Sequence, residues 1–134
     1  MVPASSDKFF LLFLADEHFV SLTTFRKTGE RVPTPVWIAR DGEALLVTTP
    51  DGTGKVKRIR NDPRVEMQPS GRMGKTKDND TVVSAVAEIL PNSNYRSSLF
   101  SEKYKLEYRI FMFIESRSKA GKKPRVMLRI TAPE

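Results

Sequence analysis

Thr48-Thr49-Pro50-Asp51-Gly52-Thr53-Gly54-Lys55-Val56-Lys57-Arg58-Ile59-Arg60-Asn61-Asp62-Pro63 is the stretch on which the reading of this chain turns. An apolar strand predicted over Ala44–Thr49 ends in two hydroxyls, a glycine-containing turn follows, and a basic helix over Lys55–Asn61 stops at Pro63. Glycines let backbone N–H groups approach an anion closely, and a helix N-terminus adds partial positive charge there. At about 100° per residue Val56 and Ile59 share a side that can anchor the helix, with Lys55 and Arg58 on one flank and Lys57 and Arg60 on the other. Four cations within six residues repel one another, and a nearby anion relieves that repulsion. A solvated basic face is the plain alternative for a charge run. The turn and hydroxyls just before it favour a phosphate site built from Thr48, Thr49, Gly54, Lys55, Lys57 and Arg58.

Outward from this stretch the pattern is short strands and hairpin turns. Ser5-Ser6-Asp7 can cap a helix over Lys8–Ala15, and Phe19–Phe25 then alternates, with Val20, Leu22 and Thr24 on one face. Lys27-Thr28-Gly29 makes a turn into a strand over Val32–Ala39. Its Pro33 and Pro35 cannot both sit in a central ladder, so the strand begins at an edge or a bulge. Asp41-Gly42 is a hairpin turn into Ala44–Thr49. Beyond Pro63 come a strand over Val65–Gln68, a polar and mobile turn over Gly71–Asp80 and a long strand over Thr81–Leu90. Helices over Tyr95–Tyr104 and Leu106–Ser116 and a last strand over Arg125–Thr131 complete the series. In the second helix Leu106, Ile110, Phe113 and Ile114 share one side. The order gives a mainly β fold, an antiparallel barrel with added helices.

Composition narrows the function classes. The 134 residues fit one domain with a single core. With no cysteine and one histidine, His18, thiolate metal sites, disulfides and histidine-cluster metal sites are excluded, which suits a reducing cytoplasm. The apolar run Phe9–Leu14 is too short for a signal peptide or a membrane helix, so no membrane partner is expected. A net charge of +7 favours an anionic partner, whether phosphorylated cofactor, nucleic acid or acidic membrane.

Thr48, Lys55, Ile59 and Asp62-Pro63 resemble the phosphate-binding stretch of the pyridoxamine-phosphate-oxidase-like family, where a strand-end Thr precedes a small residue, a Lys and a helix closed by Asn/Asp-Pro. Val32-Pro33-Thr34-Pro35-Val36-Trp37 resembles the strand that lines the isoalloxazine ring in its F420-dependent branch. Thr23-Thr24, Gly29, Asp41-Gly42 and Gly54–Ile59 fall where that branch has them. The likeness is good over residues 18–70, and from Gly71 onward it is one of element order.

The resemblance implies a split, FMN-binding-like antiparallel Greek-key barrel with peripheral helices, working as a homodimer with the cofactor in a groove between barrels. Thr34, Pro35, Val36 and Trp37 would line the ring, and hydride would pass between it and a small-molecule substrate, the cofactor supplying the redox chemistry. FMN-using oxidases usually begin the second strand with a phosphate-gripping Arg; Val32 stands there in this chain, which favours F420 over FMN. No catalytic residue is identified. His18 reads as a loop or capping residue, with nothing near it in sequence to tune it. Phe100, Tyr104, Tyr108, Phe111 and Phe113 read mostly as core or dimer contacts, and Lys75, Lys77, Lys119, Lys122 and Lys123 as solvated cations within reach of an acidic cofactor tail. A non-catalytic FMN/F420-binding protein ranks second to the enzyme. A nucleic-acid-binding barrel using Phe19, Phe25 and Trp37 ranks a distant third.

Overall fold

Residues 11–77, 82–117 and 124–133 are described by the computed structural model. Residues 11–13 are helical and run into a 3₁₀ turn, Leu14–Asp16. The expected helix positions 8–10, the strand start at Thr81 and the cations Lys119, Lys122 and Lys123 lie outside the described residues. Among the described residues seven strands follow: β1 (Phe19–Phe25), β2 (Arg31–Val36), β3 (Ala39–Asp41), β4 (Ala44–Pro50), β5 (Arg64–Ser70), β6 (Val83–Pro91) and β7 (Arg125–Thr131). Helix α1 (Gly54–Asn61) joins β4 to β5, and α2 (Asn94–Ser116) joins β6 to β7.

All strand pairs are antiparallel, in the order β2-β1-β5-β6-β7-β4-β3. Pro33 and Pro35 sit on edge strand β2, opposite Thr23 and Ser21, as two residues without an N–H require. β3 and β4 join through Gly42, whose φ of 61° lies in the left-handed region that glycine enters without strain.

The strand expected over Val32–Ala39 is divided. It pairs with β1 as far as Val36, leaves the sheet at Trp37 and Ile38, and resumes at Ala39 against β4. β2 and β3 are therefore the two edges of one sheet, yet three Cα steps join them, a span of at most ~11 Å. A sheet whose first and last strands lie that close must roll up, and the result is a split barrel with Trp37 and Ile38 at its seam.

Two side chains of α2 serve the unpaired backbone of the seam. The Tyr104 hydroxyl accepts from Ile38 N at 2.9 Å and donates to His18 O at 2.8 Å. Lys103 Nζ donates to the carbonyls of Ala15, Glu17 and Ile38 at 2.6–2.7 Å. Burial pushes the Tyr104 phenol up to about 12, so it keeps its proton at any ordinary pH.

Alternation along the strands separates two apolar layers. Leu45 and Val47 of β4, Leu128 and Ile130 of β7 and Val20 and Leu22 of β1 fill the barrel with Ile38, Ile59 and Met67. Leu46 and Met127 point outward and are covered by Phe100 and Tyr104 of α2. Val56 and Ile59, at 0% and 3% exposure, fix α1 against the barrel as the helix wheel requires.

α2 is broken at Lys105 (φ 48°, ψ −117°), which separates the two helices that the sequence suggests. The break turns the apolar side of the second half outward. Leu106, Ile110, Phe113 and Ile114 are 51–65% exposed instead of covering the chain's own sheet.

Tyr104→Phe keeps the ring and removes the hydroxyl that serves Ile38 N. We expect a loss of about 1–3 kcal/mol in denaturant unfolding, the range for a buried backbone group left without its partner; a change under about 0.3 kcal/mol would mean that the seam is held by other contacts.

Candidate functional site

The register of β4 and β7 builds one wall of a groove of about 240 Å³. Pairing of Thr48 with Met127 and Pro50 with Arg125 places the end of β4, the turn before α1 and the start of β7 together. Thr48, Thr49, Pro50, Lys55 and Arg125 line this wall; Phe19, Pro35, Val36 and Trp37 form the other side, and Phe111 and Glu115 of α2 close the end. Apolar and aromatic surface thus faces a polar, cationic base.

Trp37 is held rigidly, stacked on Tyr104 (4.4 Å between centroids, 15° between planes) with Phe111 tilted 5.1 Å away. Such a wall suits a flat ring, because both the indole and its support are already fixed. The base is electrostatically tense. Burial pulls the Lys55 ammonium below the ordinary lysine value, and the positive charges of Arg58 and then Arg125 add to that shift. Nearby carboxylates are committed elsewhere: Asp51 binds Gly52 N at 2.8 Å and Arg60 at 3.2 Å, and Glu115 pairs with Arg125. The Thr53 side chain makes no capping bond to α1; its hydroxyl lies 3.3 Å from that of Thr49. A half-buried ammonium among cations, beside two threonine hydroxyls and a helix start, is an arrangement that an anion completes. The groove thus sets an aromatic wall beside a cationic, hydroxyl-bearing base.

The expected site residues divide into two groups. Pro35, Val36, Trp37, Thr48, Thr49 and Lys55 line the groove. Thr34 does not; it pairs with Leu22 on β2 and is half-buried. Gly54, Lys57 and Arg58 lie around the helix start, outside the groove. Arg58 folds back over Gly54, where an added Cβ would stand 2.7 Å from its guanidinium, and donates to Thr24 Oγ1 at 2.7 Å. Lys57 and Arg58 border a second cavity of about 340 Å³ with Phe25, Arg26, Lys27, Thr28 and Asn61. Arg31, beside Val32, pairs with Glu66 and covers Phe25, so neither residue brings a guanidinium to the groove. Lys75 is exposed in the turn after β5, where Gly71 N binds its carbonyl at 3.0 Å, and Lys77 is exposed as well.

Sequence reasoning missed Arg125 and Glu115. Arg125 Nε donates to Thr48 Oγ1 at 3.0 Å, and its guanidinium lies 5.8 Å from the Phe111 ring centre. The only local signal was a cation opening an otherwise alternating strand. His18, unaccompanied in sequence, meets Glu107 at 2.9 Å, and Arg72 reaches the same carboxylate at 3.5 Å.

The profile of the pyridoxamine 5'-phosphate oxidase family matches residues 7–134. No curated protein matches. Solved structures share the fold. An F420 reductase is 22% identical, with a TM-score of 0.60 over 91% of this chain and 92% of that one. An FAD-binding protein from Mesorhizobium loti is 20% identical, with a TM-score of 0.60 over 97% and 88%. The heme storage protein HutZ from Vibrio cholerae is 11% identical, with a TM-score of 0.61 over 97% and 87%.

If crowding at Lys55 awaits an anion, Lys55→Met stabilises the ligand-free protein by up to about 1 kcal/mol while abolishing its thermal stabilisation by added phosphate. Because the folded-state pKa of Lys55 lies below the unfolded value, the unfolded chain holds the proton longer and stability gains as pH rises through that interval. The Met variant should lose this alkaline gain. Equal phosphate stabilisation of both proteins, read by thermal melts, would remove Lys55 from the anion site.

Proposed function

The chain belongs to the pyridoxamine 5'-phosphate oxidase family, and from that premise we propose that it is an oxidoreductase that transfers hydride between a phosphorylated flavin-type cofactor and a small organic substrate. The observation that carries this reading is Lys55: a partly buried ammonium pressed by Arg58 and Arg125, at the base of a groove walled by Trp37 and Phe111. Thr48, Thr49, Lys55 and Arg125 would hold the phosphate, and Pro35, Val36 and Trp37 would flank the ring. When bound, the ring supplies the hydride chemistry; the chain orients it and keeps water from its covered face.

F420 is favoured over FMN. Positive charge continues from Lys55 to Arg58 and on to the second cavity, where Arg26, Lys27 and Lys57 stand beside Arg58. A cofactor with an acidic extension beyond its phosphate would meet those charges, of which Arg26 is already paired with Glu30, whereas FMN does not extend to them. Heme storage draws less support, because His18 does not line the groove and pairs with Glu107. Single-stranded nucleic acid is likewise disfavoured: Phe25 lies under Arg31 and Arg64, and Phe19 under Arg72 and against His18.

A second copy of the chain would cover Leu106, Ile110, Phe113 and Ile114, the outward side of the helix that also brings Phe111 and Glu115 to the groove. In sedimentation the protein should run at twice the chain mass; a strict monomer would overturn this arrangement.

Titration with F420 and with FMN, followed by quenching of Trp37 fluorescence, tests the function. Saturable binding with F420 preferred is expected, and Lys55→Ala should weaken it by about 1.5–3 kcal/mol, the range for hydrogen bonds to charged groups. Binding of neither cofactor would reject the reading. Binding without hydride transfer to any of a panel of quinone and nitro-aromatic acceptors would reduce it to a cofactor-binding protein.

A further inference from the structure

Arg125 and Glu115 approach the groove from elements far apart in sequence, and their pairing fixes the charge that a ligand meets there. Arg125 is positioned by the β4–β7 register and restrained by Thr48 Oγ1, by the Phe111 ring and by Glu115. The two paired side chains are 11% and 12% exposed, so water and salt screen them weakly. Arg125 is close enough to Lys55 to depress its pKa, and Glu115 lines the same groove. A buried ion pair is a poor source of stability, because desolvation offsets most of its attraction. Its effect on the electrostatics of the groove persists regardless.

We propose that Glu115 determines which phosphate ester the groove accepts: by offsetting the charge of Arg125 beside Lys55, it favours a singly charged phosphodiester over a doubly charged phosphomonoester. This rests on the reading of the groove as a site for a phosphorylated flavin-type cofactor. Without Glu115, Lys55 and Arg125 would present two uncompensated cations to one phosphate and suit the dianion of a monoester such as FMN, whose second proton leaves near pH 6. With Glu115 the carboxylate repels the second negative charge, and the diester phosphate of F420 meets a matched site. Arg58, which borders the second cavity and also presses on Lys55, is present with and without Glu115 and so cancels when the variants are compared.

Glu115→Gln tests this directly, since the amide oxygen still accepts from Arg125 and only the charge is lost. Dissociation constants for FMN and F420 are measured by Trp37 quenching on the unmutated protein, on Glu115→Gln and on the charge-conserving Glu115→Asp, with thermal melts to verify folding. FMN should tighten by about tenfold more than F420 in the Gln variant, and the ratio should stay near that of the unmutated protein in the Asp variant. Should the Gln variant fail to fold, the unmutated protein gives a second reading. Its FMN affinity should rise relative to F420 as pH falls from about 7.5 to about 5.5 and the FMN phosphate gains a proton; a flat ratio would overturn the proposal. Both affinities moving together in Glu115→Gln would mean that the pair only fastens α2 to β7, and would sink this inference alone. If the unmutated protein binds neither cofactor, the underlying reading falls and takes this one with it.

Discussion

The hydrogen bonds that Tyr104 and Lys103 make to the barrel seam are the constraint from which the rest of the architecture follows. A strand that leaves one sheet edge and rejoins the other after Trp37 and Ile38 exposes backbone groups that no neighbouring strand can serve. Buried and unserved, each would cost about 1–3 kcal/mol. The phenol and ammonium of α2 serve them from outside, so the helix that closes the barrel also fixes Trp37, through the ring stack on Tyr104. Seam, aromatic wall and groove are thereby parts of one packing unit. Burial holds the Lys103 ammonium down at about 8 while Asp16 and Glu17 pull it up, and three carbonyl acceptors suit its three donors.

Much of this fold could be read in the sequence because its strands carry local signals. β1 and β7 were bounded correctly by the pattern alone, although each buries neighbouring residues on both faces, Val20 to Leu22 in one and Met127 with Leu128 in the other. The α1 wheel put Val56 and Ile59 inward for the same reason. The division between β2 and β3 was invisible, because Val36, Trp37, Ile38 and Ala39 form one apolar run whose periodicity does not change where its partner strand does. The helix break at Lys105 was legible, but not its consequence. Whether an apolar helix side meets the sheet or the solvent depends on the direction the chain takes after the break, and residue spacing carries no information about direction.

The groove was legible only in part, for a related reason. The residues found from sequence, Lys55 with Thr48 and Thr49, come from one continuous segment in which turn chemistry and charge announce themselves together. Arg125 and Glu115 arrive through a strand register and a helix packing angle. His18 gains Glu107 in the same way, across 89 residues. A lone Arg or Glu in a chain of net charge +7 has nothing to distinguish it until tertiary structure supplies its neighbours.

Charge at the groove is arranged by distance as well as by sign. Around α1, Arg60 is offset by Asp51, whereas Lys55 and Arg58 meet hydroxyls and other cations, and both are pulled below their ordinary values, by burial first and neighbouring positive charge second. A protein selected only for stability would pair or remove such groups, since relieving like-charge repulsion in a half-buried setting is among the easiest gains available. They stand on one short helix, between an aromatic groove and a second cationic cavity. Glu115 offsets Arg125 at the groove, and Glu30 offsets Arg26 at the second cavity. Each cavity therefore sets a paired arginine beside a cation that no carboxylate among the described residues meets, Arg125 beside Lys55 and Arg26 beside Arg58.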